Sequence, residues 1–110
     1  MKQDPLQPKK CAELLAALAA PERLRIVRFL RDGPRNVTEI AEMLRAPAVN
    51  VSHHLTVLRH AGLVQNEKQG RFVLYSLCPG VLQACCDDPL HDLLQLGCCE
   101  LRLPRPESPS

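Results

Sequence analysis

From Lys9 onward the apolar residues fall at helical intervals, and the pattern predicts four short amphipathic helices before the period changes near residue 62. Leu14, Leu15 and Leu18 give a first helix from Lys9 or Lys10 to Ala20, with Cys11 on its first turn. Pro21 opens a second, PERLRIVRFLRD, with Glu22 favourable near its start and Arg31 near its end. Its inward side is Leu24, Val27 and Leu30, widened by Ile26 and Phe29, and Gly33 is a natural stop. Arg23, Arg25, Arg28 and Arg31 take the other faces. Val37, Ile40, Ala41 and Leu44 stripe a third helix, which Thr38 is placed to cap. Arg45-Ala46-Pro47 breaks it, because Pro47 disfavours the helical conformation at Ala46 yet suits the start of a new helix. Val51, Leu55 and Leu58, at i, i+4 and i+7, then bury one side of a fourth helix. Leu63–Glu67 and Arg71–Leu77 read as two strands, with Lys68-Gln69-Gly70 as their turn.

Burying Val51, Leu55 and Leu58 leaves Ala48, Val49, Asn50, Ser52 and His53 together on or beside the outward side of the fourth helix, near its N-terminus. Small polar groups and methyls at that place suit base edges in a DNA major groove, so the third and fourth helices read as a helix-turn-helix. His54 is expected either at DNA or satisfied internally, and His60 at the surface. A hairpin directly after a recognition helix is a wing, and Lys68 and Arg71 near its tip are expected at phosphate or in the minor groove. The expected fold is therefore α+β, mainly α: a winged helix-turn-helix DNA-binding domain over residues 9–77. A flexible arm (1–8) precedes it, and a Cys-rich segment (78–103) and a disordered tail (104–110) follow.

A length of 110 residues holds one compact domain. Its core is drawn from Leu, Ala and Val, with only Phe29, Phe72 and Tyr75 as aromatics, and so small a core gains from pairing with a second copy. No apolar run is long enough to span a membrane. Lys9-Lys10 and CAELLAALAA mimic a signal peptide, but Glu13 interrupts the run and an amphipathic helix continues it, so the expected location is the cytoplasm. The net charge of +2 is unevenly spread: residues 21–75 carry nine Lys and Arg against five acids, and residues 76–110 two against five. A basic middle beside a helix-turn-helix favours nucleic acid as partner.

Together, LAALAAPERLRIVRFL, VSHHLTVLRHAGLV and KQGRFVLYSL resemble the ArsR/SmtB family of bacterial winged-helix repressors over roughly residues 11–77. The resemblance implies a homodimer that binds double-stranded operator DNA and releases it when a metal, metalloid or thiol-reactive signal arrives. Two departures stand out. Pro47 replaces the Ser or Thr that commonly opens the recognition helix, and TEIAEML lacks the Cys-x-Cys pair that many members carry on the preceding helix.

Six cysteines in a chain expected in the cytoplasm argue for reduced thiols with a chemical task rather than a disulfide scaffold. Cys85, Cys86, Cys98 and Cys99 are the candidate ligands. Cys11 is a further candidate, since the resemblance allows an N-terminal thiol to join a site, and Cys78 reads as a small apolar filler. A short helix from Pro79 ending at Cys85-Cys86, and a second from Asp88-Pro89 to Gly97, are expected. A bend at Gly97-Cys98-Cys99 and a strand, CELRL, complete the segment. Thiolates favour soft ions: Cu(I), Zn, Cd, or As(III), the last preferred because three thiolates suffice and its lone pair fills the remaining direction. By resemblance, a two-His, two-carboxylate zinc site is also considered, but His91 is the one His outside the recognition helix and its end. No catalytic constellation appears, so no enzyme is expected. Two alternatives remain: a thiol-redox or persulfide-sensing repressor of the same fold, and a winged-helix module for protein contacts.

Overall fold

A computed structural model describes residues 7–84 and 88–105. Helix α1 (Pro8–Leu18) and helix α2 (Pro21–Phe29) each carry Pro at the first turn, where a missing N–H costs no hydrogen bond. Along α1 the buried side chains are Cys11, Leu14, Ala17 and Leu18, at helical spacing. Leu15, expected inside, is 41% exposed: it points a third of a turn away from Leu14. A 3₁₀ turn, Leu30–Asp32, ends α2, and Gly33, at φ 132°, supplies the backbone that lets the chain turn away.

Strand β1 (Arg35–Asn36) leads directly into helix α3 (Val37–Leu44). The cap of α3 is Asn36 rather than the expected Thr38. Asn36 Oδ1 accepts from the Glu39 N–H at 2.8 Å, and Glu39 Oε1 accepts from the Asn36 N–H at 3.1 Å. This reciprocal pair satisfies two backbone donors that a cap at Thr38, with Ala41 three residues on, could not. Arg45 closes α3 in the left-handed conformation (φ 54°). Helix α4 (Ala48–His60) follows from an extended Pro47, whose carbonyl accepts from Asn50 at 3.0 Å and Val51 at 3.2 Å. Val51, Leu55 and Leu58 are fully buried and meet Ile26, Val27 and Ile40 in the core.

Strands β2 (Val64–Gln69) and β3 (Phe72–Leu77) form the wing, with Gln69 paired to Phe72, so the turn is Gly70-Arg71 and lies slightly beyond the expected one. Gly70 takes the positive φ (61°) that so tight a turn demands. Strand β1 adds to the other edge of β3 through Arg35–Tyr75 and Asn36–Leu74, giving the order β1-β3-β2.

The segment after the wing is a second antiparallel sheet: β4 (Leu82–Ala84), β5 (His91–Gln95) and β6 (Glu100–Pro104), in that order. Among the described residues, the helices expected after Pro79 and after Asp88-Pro89 are instead turns leading into β4 and β5, while the expected strand over CELRL and the bend at Gly97 are present. Along β5 the inward positions are Asp92 and Leu94, and Leu94 is completely buried in the core of the helical domain. Asp92, only 3% exposed, accepts from Arg31 Nε on the 3₁₀ turn and from Arg105 Nε at 2.9 Å. Gln95 N–H donates to the Val81 carbonyl at 2.7 Å, a further tie at the sheet's edge. Residues 1–6 and 106–110, most of the expected arm and tail, lie outside the described residues. No helix among the described residues is long and apolar enough to cross a membrane.

Candidate functional site

Two surfaces carry chemistry. The first is the start of α4. Ala48, Val49, Asn50, Ser52 and His53 are all exposed, with Val49 at 78%, because the opposite side of the helix is fixed in the core by Val51, Leu55 and Leu58. Lys68 and Arg71 are exposed in the wing, beside Phe72 at 56%. An outward helix start and a basic hairpin tip on one small domain have the form used to follow a DNA groove and its flanking phosphates.

His54 is half-buried, one residue round the helix from His53. Its Nδ1 lies 3.3 Å from Arg23 NH1, and the guanidinium must donate, so the ring is the neutral tautomer with its proton on Nε2. Burial and then the neighbouring Arg23 charge hold its pKa below the usual 6.5. The internal role left open for His54 is the one its contacts fill. Arg23 also donates to the Ala17 and Ala16 carbonyls in the last turn of α1, where a cation meets the negative end of the helix dipole. Nothing in the apolar pattern marked Arg23 as different from Arg25 or Arg28.

The second surface is a cluster of sulfurs. Cys11, buried on the first turn of α1, meets Cys98 and Cys99, both half-buried in the turn between β5 and β6. Gly97 (φ 87°) makes that turn, closed by Leu96 N–H donating to the Cys99 carbonyl at 3.0 Å. Cys11 and Cys98 form a disulfide across 87 residues of sequence, with Cα atoms 5.9 Å apart. This corrects the expectation of wholly reduced thiols: the sequence could not show that the β5–β6 turn lands on the first turn of α1. Cys99 Sγ remains a thiol, 3.9 Å from Cys11 Sγ and 3.8 Å from Cys98 Sγ. Sulfurs bound tetrahedrally to one ion at about 2.3 Å lie about 3.8 Å apart, so the two non-bonded edges already have the span of a shared soft ion. With the disulfide opened, three thiolates fit such an ion; with it closed, only one does.

Cys85 and Cys86 lie outside the described residues. Cys78 is half-buried against the core, as a small apolar residue would be. His91 Nδ1 faces Asp88 Oδ2 at 2.8 Å, and this contact, with the Leu90 N–H, holds the Asp88 carboxyl below its usual pKa. Asp92, its charge matched by two arginines, is a structural carboxylate rather than a ligand.

The helices, the turn between α3 and α4 and the two-stranded wing define a winged helix-turn-helix protein. The model of the family described as "Bacterial regulatory protein, arsR family" matches residues 20–66. A 32% identical relative, the uncharacterized HTH-type transcriptional regulator MJ1325 of Methanocaldococcus jannaschii, aligns over 80% of this chain and 91% of its own length. The chain belongs to the ArsR family. It is 48% identical over 66 residues to the HTH-type transcriptional regulator NmtR of Mycobacterium tuberculosis, covering 60% of this chain and 55% of that one. It therefore spans about half of that relative's length. Among solved structures, reduced HlyU from Vibrio cholerae matches with TM-score 0.62 and 34% identity, over 66% of this chain and 77% of that chain. Cys11, Cys98 and Cys99 all fall outside the matched family segment.

Proposed function

We propose that the chain is a homodimeric repressor that holds an inverted-repeat operator and lets go when its sulfur cluster takes a soft ion. In this reading Ala48, Val49, Asn50, Ser52 and His53 of α4 face base edges, and Lys68 and Arg71 hold phosphate. Cys11, Cys98 and Cys99 bind the ion in the cytoplasm. The observation that carries the reading is the meeting of three sulfurs from opposite ends of the sequence beside a DNA-binding fold. Three donors and no fourth, among the described residues, favour As(III) over Zn or Cd, which complete a four-coordinate shell more readily. The name NmtR speaks of regulation without naming an inducer, so the ion is argued from the donor set alone.

The test is release of bound operator DNA. Purified, reduced chain is titrated with As(III), Cd(II), Zn(II) and Cu(I), and in parallel with peroxide and a sulfane-sulfur donor. Release by As(III) at stoichiometric concentration supports the reading, and Cys98→Ser/Cys99→Ser should abolish it without altering operator affinity. The Cys11–Cys98 disulfide favours one second reading, in which oxidation itself is the signal; release by peroxide alone would establish it. Failure to bind any operator would leave a protein-contact module.

A further inference from the structure

The disulfide and the ion site draw on the same atoms. Cys11 and Cys98 are two of the three sulfurs within reach of one ion, and the bond between them removes both as ligands. Cys99 alone remains, and a single half-exposed thiol is a weak site. A cavity of about 280 Å³ opens on this bond, bounded by Gln7 and Lys10 of the α1 start, by Gly97, and by Cys11 and Cys98 themselves. The Lys10 side chain is exposed at its rim, so the mouth attracts anions.

We propose that the Cys11–Cys98 disulfide is a latch on the ion site, opened by a small anionic thiol that enters this cavity beside Lys10. The inference rests on the reading of Cys11, Cys98 and Cys99 as soft-ion ligands. Cys98 is half-exposed and Cys11 only 6% exposed, so the incoming thiolate attacks Cys98 Sγ. A sulfur–sulfur bond forms between the thiol and Cys98, the Cys11–Cys98 bond breaks, and Cys11 leaves with the electron pair as thiolate. A second thiol then attacks the mixed disulfide, releasing Cys98 as thiolate and the two small molecules as their own disulfide. Two thiols are oxidised, one protein disulfide is reduced, and two protons are released. Only then do three sulfurs face the ion, which displaces the remaining proton from Cys99. The chain therefore responds to a soft ion only where thiol is abundant.

The experiment uses the full chain, with Cys85→Ser and Cys86→Ser so that this second cysteine pair of the sequence supplies no ligands. Oxidised protein, its Cys11–Cys98 link mapped by mass spectrometry, and protein reduced and freed of thiol are each titrated with Cd(II). The readout is thiolate-to-cadmium ultraviolet absorption. The reduced chain should bind one Cd(II), and the oxidised chain at least 100-fold more weakly. Affinities within threefold of each other overturn the latch. Absence of binding by the reduced chain overturns instead the ion-site reading, and the latch with it. Reduction by 3-mercaptopropionate should outpace reduction by cysteamine several-fold, and Lys10→Glu should reverse that order; an unchanged order overturns the anionic-thiol entry. Should the double variant fold poorly, mass-mapped alkylation of the natural sequence gives the same answer: Cd(II) must shield Cys98 and Cys99 only after reduction, and shielding before reduction overturns the latch.

Discussion

Replacing Asp92 by Asn tests what fixes the C-terminal sheet to the helical domain. The carboxylate is 3% exposed and accepts two charge-assisted hydrogen bonds, from Arg31 on the 3₁₀ turn and from Arg105 after β6. Asn keeps the shape but offers one acceptor, and its NH₂ then faces a guanidinium donor. Two charged hydrogen bonds are worth about 1.5–3 kcal/mol each. Arg31 and Arg105 side chains are 32% and 29% exposed, so both guanidiniums recover water when the carboxylate is lost, and the low end of the range applies. We expect Asp92→Asn to cost about 2–4 kcal/mol, a fall of roughly 10–20 °C in Tm for a domain of this size. Urea melts followed by circular dichroism measure the total. Amide exchange shows where the loss falls: β5 and β6 should exchange far faster while β2 and β3 change little. Asp32→Asn is the control, because that carboxylate is 58% exposed beside the same Arg31, and it should shift stability by less than about 0.5 kcal/mol. If Asp92→Asn costs no more than Asp32→Asn, the buried ion pairs do not hold the sheet, and its apolar packing around Leu94 together with the Cys11–Cys98 bond must.

Asn36→Ala removes the side-chain acceptor of the α3 capping pair, leaving only the residue 36 N–H donating to Glu39, and should cost about 1 kcal/mol by chemical denaturation, whereas Thr38→Ala should be nearly neutral. His54 has a folded pKa below 6.5, so the unfolded chain binds its proton more readily. Its contribution to stability is complete above 6.5 and is lost as pH falls from there through the lower folded pKa; urea midpoints between pH 7 and 5 should fall more steeply than in His54→Asn. Arg71→Ala should weaken binding to all DNA sequences and lower the magnitude of the salt slope by about 0.9, as loss of one phosphate contact requires. Arg23→Gln should leave ion affinity at the sulfurs intact and reduce ion-driven release of DNA, both measurable in one titration.

How much of this could be read from the chain depends on how far apart the partners are. The α4 stripe and its exposed start were legible, because Val51, Leu55 and Leu58 repeat within a single helix and each is completely buried. The wing was legible for the same reason, with Gly70 marking its turn. The cap was within reach and missed: Asn36 and Glu39 stand three apart, and that reciprocal spacing outranks a lone Thr38. The C-terminal sheet was hidden by Asp92. A strand with one buried side reads as alternating apolar residues, and the charge at an inward position of β5 destroyed that alternation. Arg31, which makes the charge tolerable there, lies 61 residues away. The sulfur cluster was hidden more deeply still, since the adjacency of Cys98 and Cys99 was visible while their meeting with Cys11 depends on the unread sheet.

That same sheet gives the proposed ion response a route from sulfur to α4. Cys11 sits in the first turn of α1, an 11-residue helix and hence a rod of about 16 Å. The far end of the rod is not free: Arg23 donates to the Ala16 and Ala17 carbonyls there, and its NH1 meets Nδ1 of His54 on α4. At the near end, Cys98 and Cys99 are carried on a turn whose strands are anchored by Leu94 in the core and by Asp92 on Arg31. In the proposed reading, drawing the three sulfurs around an ion would shift the start of α1 against a sheet held by Leu94 and Asp92. A tilt of α1 would reach Arg23, which bonds both α1 and α4. Couplings of this kind are typically worth 1–3 kcal/mol, which converts into a 5- to 150-fold change in affinity for operator. Arg23 is placed to carry that energy because it spans two helices, whereas the exposed Arg25 of α2 donates to the Met43 carbonyl.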